Sequence, residues 1–466
     1  MSDPSSDTGD GPAAPPTSLD EIDTALAALG VDTGEFERPS VGRVRESGGP
    51  SVETDGPTGR RRRPGPGLPR NFRLLWGATT LSNLGDGLRL VALPLLATSV
   101  TDDPRLIAGV TVAERLPWLF FILPGGAWAD RYDRRVLRMR LDIARAVVMA
   151  GLVAVILADQ VSIWVIFLVA ALLASAEAVV DSSSMAMIPA TVETADLERA
   201  AGRLGSTELA MNDLVGPPVG GLLFGLAIAV PFGLDALSFA GAALVMAFMS
   251  GSYTSGAAHT PGRRMRTSVT DGFRWLWGQH LLRVLAIIST ALGTASFIGN
   301  GVFVLYARDV LDLSEFGYGV LLVPGAIGGI IGSLIAPRFR RFRLSLTLSC
   351  AVLASGIATW LISATSEPVI AGLLSAVSLG AVMVWNVLTV ALRQRLIPNE
   401  MLGRVGAAYR FLVFLGMPVG ALIGGLLAYR FGVRSAIFVS GSVLVFLGLI
   451  IPSLLRGAEG IERAET

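Results

Sequence analysis

Charged residues stand inside long apolar segments of this 466-residue chain. A charge in such a segment is costly unless it meets a partner or water, and a carboxyl group held there can bind and release protons. The candidates for proton or substrate coupling are Asp86, Arg89, Glu114, Arg145, Glu177 and Asp181. The same segments also contain Arg115, Asp142, Glu208, Asp213 and Arg410. A structural ion pair explains any single one equally well, but the whole set favours a polar cavity.

The positions of these charges along their segments predict two groupings. Arg89 and Glu114 lie at nearly the same depth, counted from the outer ends of their segments, so they are expected to pair. Arg145 falls in depth between Glu177 and Asp181, which share one helix face because they are four residues apart.

Three acids are the leading candidates for binding a coupling proton, namely Asp86, Glu177 and Asp181. Asp86 lies halfway along its segment between two glycines, which leave room for water or substrate beside it. The competing interpretation is that neighbouring arginines pair permanently with these acids and make them structural.

The elements that must hold these residues are membrane-spanning helices. Hydrophobic residues make up 52% of the chain and charged residues 16%, with a mean hydropathy of +0.59, whereas soluble domains have roughly 25% charged residues. Twelve apolar segments are each long enough to cross a hydrocarbon core of about 30 Å. They cover approximately 74–97, 105–128, 136–158, 162–188, 206–229, 231–250, 282–306, 317–337, 343–364, 368–392, 404–429 and 432–455.

The turns between the segments predict their orientation. Arginines crowd the turns after the second, sixth, eighth and tenth segments, so both termini are expected in the cytoplasm. The turn after the eleventh, with Arg430 and Arg434, does not fit this pattern. Lysine is absent, which suggests a GC-rich bacterial genome and hence a multi-pass protein of the bacterial inner (plasma) membrane. The single Cys350 lies in an apolar run and is expected to be a packed core thiol.

A glycine-rich segment end runs into a basic turn between the second and third segments. Its motif residues are Gly126, Asp130, Arg131, Arg134 and Arg135. This spacing resembles the loop signature between helices 2 and 3 of the major facilitator superfamily of secondary transporters. Asp133 departs from that signature, because the family usually has a glycine there. The alternative is a basic topology anchor, which any membrane protein can carry.

The fifth segment holds a second motif, with Gly216, Pro217, Gly220 and Gly221. It resembles the signature of exporters and antiporters of the same superfamily, although Asn212 occupies an upstream glycine position. Prolines bend a helix and glycines let a neighbouring helix approach closely, so the motif is also consistent with ordinary packing.

The resemblance implies an all-α polytopic fold of twelve transmembrane helices in two six-helix halves related by pseudo-twofold symmetry. Adding 207 to Pro117 gives Pro324, and adding 201 to Pro217 gives Pro418, as such a repeat requires. The expected domains are a disordered cytoplasmic tail, an N-terminal half, a cytoplasmic interdomain linker, a C-terminal half and a cytoplasmic C-terminal tail. Their bounds are 1–70, 71–250, 251–281, 282–456 and 457–466. A capping box at residues 18–21 predicts a short helix in the first tail.

The stretch 393–398, with 403–405 and 418–421, is similar to the subgroup of enterobactin exporters and macrolide-efflux proteins. This resemblance implies a monomeric, proton-coupled exporter of a bulky amphiphilic small molecule, such as a drug, macrolide or siderophore, that works by alternating access. It also implies that Asp130 lies against the amino end of the eleventh helix and latches the cytoplasmic side shut.

Other classes of function are disfavoured by the sequence. It shows no phosphate-binding loop, no metal-ligand cluster and no nucleophile–base arrangement, so we predict neither an enzyme nor a cofactor or metal. The arginines are spread over many turns, which argues against nucleic acid as a partner. The alternatives that remain are an importer of a small metabolite with the same architecture and a non-transporting membrane sensor.

Overall fold

A computed structural model shows that the chain is helical throughout the part it describes. That part comprises residues 68–254 and 265–455, without the side chains of 122–131, 265–269 and 399–400. The predictions for the N-terminal tail, including the capping box at 18–21, and for the C-terminal tail lie outside the described residues.

Thirteen helices follow one another along the described ranges. They are α1 (Arg70–Val100), α2 (Pro104–Arg131), α3 (Arg134–Leu157), α4 (Ile163–Thr191), α5 (Thr194–Leu226), α6 (Ala229–Ala247), α7 (Met265–Gly278), α8 (His280–Val310), α9 (Glu315–Arg341), α10 (Leu344–Ala364), α11 (Pro368–Leu396), α12 (Asn399–Phe431) and α13 (Val433–Leu455).

Nine of the helices in these ranges are long and apolar enough to cross a membrane. Helices α1 and α3 do not meet these criteria, although they contain 31 and 24 residues. The physical reason is charge, because each has an acid and arginines in its interior, such as Asp86 and Arg89 in α1 and Asp142 in α3. Large apolar side chains such as Trp164 and Leu168 are exposed, as expected for a surface that faces lipid.

Two parts of the chain contain helical structure that the sequence did not predict. The fifth segment was predicted at 206–229, but α5 begins at Thr194 because the amphipathic helix Leu197–Glu208 continues through a π-helical stretch, Leu209–Val215, into the glycine-rich part. The predicted linker contains the short helix α7, which packs on α12 with Phe273 edge-on to Phe411 at 5.9 Å between ring centroids.

Helix packing repeats along the chain. In the first part α1 packs on α5 and α6, α2 on α4, and α3 on α4 and α6. In the second part α8 packs on α12 and α13, α9 on α11, and α10 on α11 and α13. Each pair in the second list is the counterpart of one in the first. Two further contacts, α2 with α12 and α5 with α9, join the two sets of helices.

The structure shows the environments of Arg434 and Cys350, about which the sequence made predictions. Arg434, in the turn that did not fit the charge pattern, donates hydrogen bonds to the Ser363 carbonyl oxygen at 2.9 Å and to Ser366 Oγ at 2.5 Å. The Arg434 side chain therefore caps the carboxyl end of α10. The prediction that Cys350 is a packed core thiol is wrong, because this residue is exposed on α10.

Candidate functional site: a buried charge network

Four helices of the first part meet around charged side chains, and small residues allow them to meet. Gly85 of α1 has no Cβ, and the side chains of Asp235 and Ser238 from α6 occupy the space where a Cβ would project. Helix α6 therefore approaches α1 at the level of Asp86, and α3 packs on both α4 and α6. This close approach brings charges from separate helices within a few ångströms of each other.

Arg89 is the centre of the network. Its Nη2 atom donates to Asp86 Oδ1 at 2.7 Å and to Glu177 Oε2 at 3.1 Å, and so links α1 to α4. Its Nε atom lies 3.9 Å from Asp235 Oδ2 on α6 and has no hydrogen-bond partner among the described atoms. Its predicted partner, Glu114, is not among the carboxylates within 4 Å.

Arg145 of α3 is the second arginine of the network. It donates to Asp86 Oδ1 at 2.5 Å and to Ser82 Oγ at 3.1 Å, and its guanidinium lies 3.8 Å from the ring centroid of Phe239. Asp142 Oδ1 is 3.7 Å away on the same helix. The ion pairs therefore join Arg145 to Asp86 and Asp142, and not to Glu177 or Asp181 as the depth count had predicted.

Arg138 of α3 completes the network, and it was not among the sequence candidates for coupling. It is 1% exposed, and it donates to Thr79 Oγ1 at 3.0 Å and to Ser184 Oγ at 2.6 Å. Its Nε atom lies 3.6 Å from Asp142 Oδ2. Asp235 was also absent from the sequence candidates. The sequence feature that could have identified Asp235 is its position as a lone acid within the apolar sixth segment.

The remaining candidates lie around this network. Glu177 is half-buried, with 27% of its side chain exposed. Asp181 is exposed, and it lies one turn along α4 from Glu177 on the same face. Glu208 and Arg410 are exposed, whereas Glu114, Arg115 and Asp213 are half-buried.

The loop between α2 and α3 binds the end of α6. Arg135 donates from Nε to the Met246 carbonyl oxygen at 3.1 Å and from Nη2 to that of Ala247 at 2.9 Å. Arg134 donates to the Ala186 carbonyl oxygen of α4 at 3.0 Å. The side chains of the other three motif residues, Gly126, Asp130 and Arg131, are outside the described set.

Asp133, the departure from the family pattern, has a structural role in this loop. Its Oδ1 atom accepts from the backbone N–H groups of Arg135 at 2.9 Å and Val136 at 3.4 Å, and so caps α3. Its Oδ2 atom accepts from Ser252 Oγ at 3.0 Å and Tyr253 N at 3.1 Å. Partial burial acts to raise the pKa of Asp133, but these four hydrogen bonds outweigh it and hold the pKa below its ordinary value.

The glycine motif of α5 is a contact surface on two sides. A Cβ on Gly216 would lie 2.5 Å from the Cα atom of Gly87 in α1, and the backbone of α9 fills the space beside Gly221. The Pro217 carbonyl group faces Gly319 of α9 in the same way. The motif therefore allows α5 to touch α1 and α9 simultaneously.

The second contact between the two parts joins α2 to α12. Gly425 packs against the Arg105 backbone, and the Arg105 guanidinium lies 3.8 Å from the ring centroid of Tyr429. Further along, Trp118 stacks on Phe414 with 5.5 Å between ring centroids. The close backbone approaches of this seam lie at the Pro104 end of α2, and those between α5 and α9 lie at the Glu315 end of α9.

Comparison with known proteins identifies the class of protein. The chain belongs to the family described as transmembrane secretion effectors, whose model matches residues 66–462. It is a transporter of the major facilitator superfamily in the efflux subgroup, and members of this class are not enzymes.

Two curated relatives and one solved structure show the extent of the similarity. The multidrug efflux pump Tap of Mycobacterium tuberculosis is 26% identical over 396 residues, which cover 81% of this chain and 91% of that protein. Macrolide efflux protein A of Streptococcus pyogenes is 21% identical and covers 82% and 95%. The nucleoside transporter NupG has the same fold, with a TM-score of 0.70 at 13% identity over 82% of this chain and 99% of that one.

Proposed function

We propose that this transporter exports bulky amphiphilic compounds from the cytoplasm in exchange for protons. Its relatives are a multidrug efflux pump and a macrolide efflux protein, so macrolides and other amphiphilic drugs are the first substrate class to test, followed by siderophore-like compounds. The observation that carries the proposal is the buried network in which Arg89 joins carboxylates of three helices.

The network favours different roles for the three acids predicted to bind the coupling proton. Asp86 accepts hydrogen bonds from Arg89 and Arg145, which is the arrangement of a permanent ion pair. Glu177 has one arginine partner and is partly accessible, and Asp181 is accessible on the same face of α4. We therefore assign proton exchange to Glu177 and Asp181, and the positioning of the arginines to Asp86.

The proposed architecture is two six-helix halves, 71–250 and 282–456, with both termini in the cytoplasm. The equivalent helix pairings in the two parts support it, as do the arginine-rich turns at one end of the helices. In this orientation the close contacts at Pro104, Glu315 and Gly425 lie on the outer side, as in an inward-facing transporter. The α2–α3 loop would then latch the opposite side through Asp130, and Asp130→Asn is expected to impair transport without removing the protein from the membrane.

Transport in proteoliposomes tests the coupling. With the lumen acidified, uptake of a macrolide or a fluorescent cationic dye by molecules in the inverted orientation should exceed uptake without a pH gradient. Glu177→Gln or Asp181→Asn should abolish the response to the gradient while substrate binding persists. Glu198→Gln, an exposed acid near the start of α5, is the matched control and should behave as wild type.

Two results would contradict this proposal. If both variants keep gradient-driven transport, the coupling groups are elsewhere or protons do not drive the process. If a proton gradient of the opposite sense accelerates accumulation, the protein is an importer. Cysteine labelling at Ser268 and Asp312 in a Cys350-lacking protein tests the topology, because the two positions should label from opposite sides of the membrane.

A further inference from the structure

We infer that Asp235 of α6 is a proton-binding site that holds a proton in this conformation and controls which carboxylate Arg89 binds. This inference rests on the proposed proton coupling and extends it to a residue outside the acids assigned above. Asp235 is completely buried, whereas Glu177 and Asp181 have access to solvent.

The balance of charge among the groups within 4 Å of one another favours one neutral acid. The network contains three arginines, Arg89, Arg138 and Arg145, and four acids, Asp86, Asp142, Glu177 and Asp235. Three ionised acids neutralise the three guanidinium groups, and a fourth would place an uncompensated charge in a medium of low dielectric constant. One bound proton therefore makes the network neutral.

The number and distance of neighbouring cations identify Asp235 as the neutral acid, since Asp142, although its oxygen atoms accept no hydrogen bond, has two guanidinium groups beside it. Asp86 accepts short bonds from two arginines, Glu177 accepts one, and Asp142 lies between two guanidinium groups at 3.6 and 3.7 Å. Asp235 Oδ2 accepts no hydrogen bond, and its nearest cation is Arg89 Nε at 3.9 Å. Of the four acids, only Asp235 has a single distant cation to stabilise a charge.

Among the described residues, Ser238 contributes the one further hydrogen bond at the Asp235 side chain. Its hydroxyl group lies 2.8 Å from the backbone carbonyl oxygen of Asp235 and 3.4 Å from Asp235 Oδ1, and it can donate to either. One hydroxyl proton shared between two acceptors stabilises a charge on Asp235 less than the two guanidinium groups stabilise Asp86.

The charged groups that face Asp235 come from two helices. Helix α1 contributes Arg89 and Asp86, and α3 contributes Arg145. Helix α5 meets α6 through the apolar ring pair Phe224 and Phe232. The arginines are therefore the groups that would respond to a change of charge at Asp235.

The consequence of proton loss follows from the unused donor on Arg89. When Asp235 becomes ionised, the Nε atom of Arg89 has a carboxylate 3.9 Å away and no competing acceptor, so the guanidinium moves toward α6. That movement weakens the 3.1 Å bond to Glu177 and frees this accessible acid to take a proton or a cationic substrate. The guanidinium group of Arg89 would thus bind Glu177 when Asp235 is protonated and Asp235 when it is ionised.

Thermal unfolding of the purified full-length protein tests the protonation state. Asparagine has the shape of a neutral aspartic acid, so Asp235→Asn should unfold within about 2 °C of wild type at pH 7. Asp86→Asn removes a carboxylate that two arginines bind and should lower the midpoint by at least several degrees. An Asp235→Asn midpoint as low as that of Asp86→Asn would show that Asp235 is ionised and would overturn the inference.

Infrared spectroscopy of the same proteins gives a direct readout without transport. The carbonyl stretch of a buried protonated carboxyl group should be present in the wild type at pH 7 and lost in Asp235→Asn, and it should persist in Glu198→Gln. Identical carboxyl bands in wild type and Asp235→Asn would refute the site even if both variants fold well. If the band is lost as expected while a pH gradient fails to drive wild-type transport, the proton site stands and the proposed coupling fails.

Discussion

Replacing Asp133 separates two roles that one carboxylate has in the α2–α3 loop. Oδ1 caps α3 and Oδ2 accepts from Ser252 and Tyr253, which follow α6. In Asp133→Asn the amide oxygen can keep the cap, but the amide nitrogen would face two donors. Asp133→Ala removes both functions. We call the two hydrogen bonds from Ser252 and Tyr253 to Oδ2 the tether. Asp133→Asn therefore measures the contribution of the tether alone, and Asp133→Ala measures the tether and the cap together.

The expected magnitudes follow from the hydrogen bonds lost. Bonds to a charged acceptor contribute about 1.5–3 kcal/mol each when shielded, and Ser252 is exposed, so the two together should contribute about 2 kcal/mol. A cap contributes about 1 kcal/mol more, which predicts a loss of about 3 kcal/mol for Asp133→Ala. Asp196→Asn is the matched control, because Asp196 precedes the α-helical segment Leu197–Glu208 of α5 without making a capping bond, and the substitution should cost under about 0.5 kcal/mol.

Hydrogen exchange measured by mass spectrometry locates the effect. The peptide containing residues 250–254 should exchange faster in both Asp133 variants, because the Tyr253 N–H group loses its acceptor, and the start of α3 should exchange faster only in Asp133→Ala. Unchanged exchange at 250–254 in Asp133→Asn would refute the tether. Equal destabilisation by asparagine and alanine would show that the cap contributes nothing.

The pH dependence of this effect has a definite sign. The pKa of Asp133 is lower in the folded protein than in the unfolded chain, where it is near 4, so its ionisation stabilises the fold above that value. The stability is lost as the pH falls through the folded-state pKa. The difference between wild type and Asp133→Asn should therefore be constant from neutral pH to about pH 5 and disappear in more acid solution.

Three further outcomes are expected. Gly216→Ala should destabilise the protein by about 1–3 kcal/mol in unfolding measurements because its methyl group would meet the backbone of α1, whereas Gly202→Ala, with open space beside it, should not destabilise. A double-mutant cycle of Arg105→Ala and Tyr429→Leu should give a non-additive effect on stability, since the guanidinium lies over the ring, whereas two independent side chains would give additive effects. Arg105→Ala should also raise the pKa of Asp103, which the Arg105 hydrogen bonds lower against a small opposing effect of burial; titration of that carboxyl group would show it.

The membrane-spanning architecture could be predicted because length and apolarity are sums along the chain. Every apolar segment found in the sequence corresponds to a helix, and the family prediction is confirmed by the match over residues 66–462. The start of α5 was less predictable. Residues 197–208 are amphipathic, and nothing in their composition distinguishes an isolated surface helix from the first turns of a longer one.

The pairing of charges could not be predicted from the sequence. The position of a residue along its helix gives its depth in the membrane, but not its place within the membrane plane. Arg89 and Glu114 were matched by depth, yet Arg89 turns toward Asp86 and Glu177 instead. The partner of a buried side chain depends on which helices are neighbours, and depth does not give the neighbours. Asp235 enters the network from α6, which approaches α1 at Gly85.

Arg138 shows that a more complete use of helix periodicity would have found part of the network. Arg138, Asp142 and Arg145 are separated by four and three residues, so they lie on one face of α3. Charges that alternate in sign along one face of a membrane helix must face protein, because lipid offers them no partner. Arg134 and Arg135 of the same arginine cluster instead bind carbonyl oxygens of α4 and α6 near the helix ends. The arginine count of a loop predicts topology, whereas the phase of each arginine on its helix indicates whether it belongs to the interior.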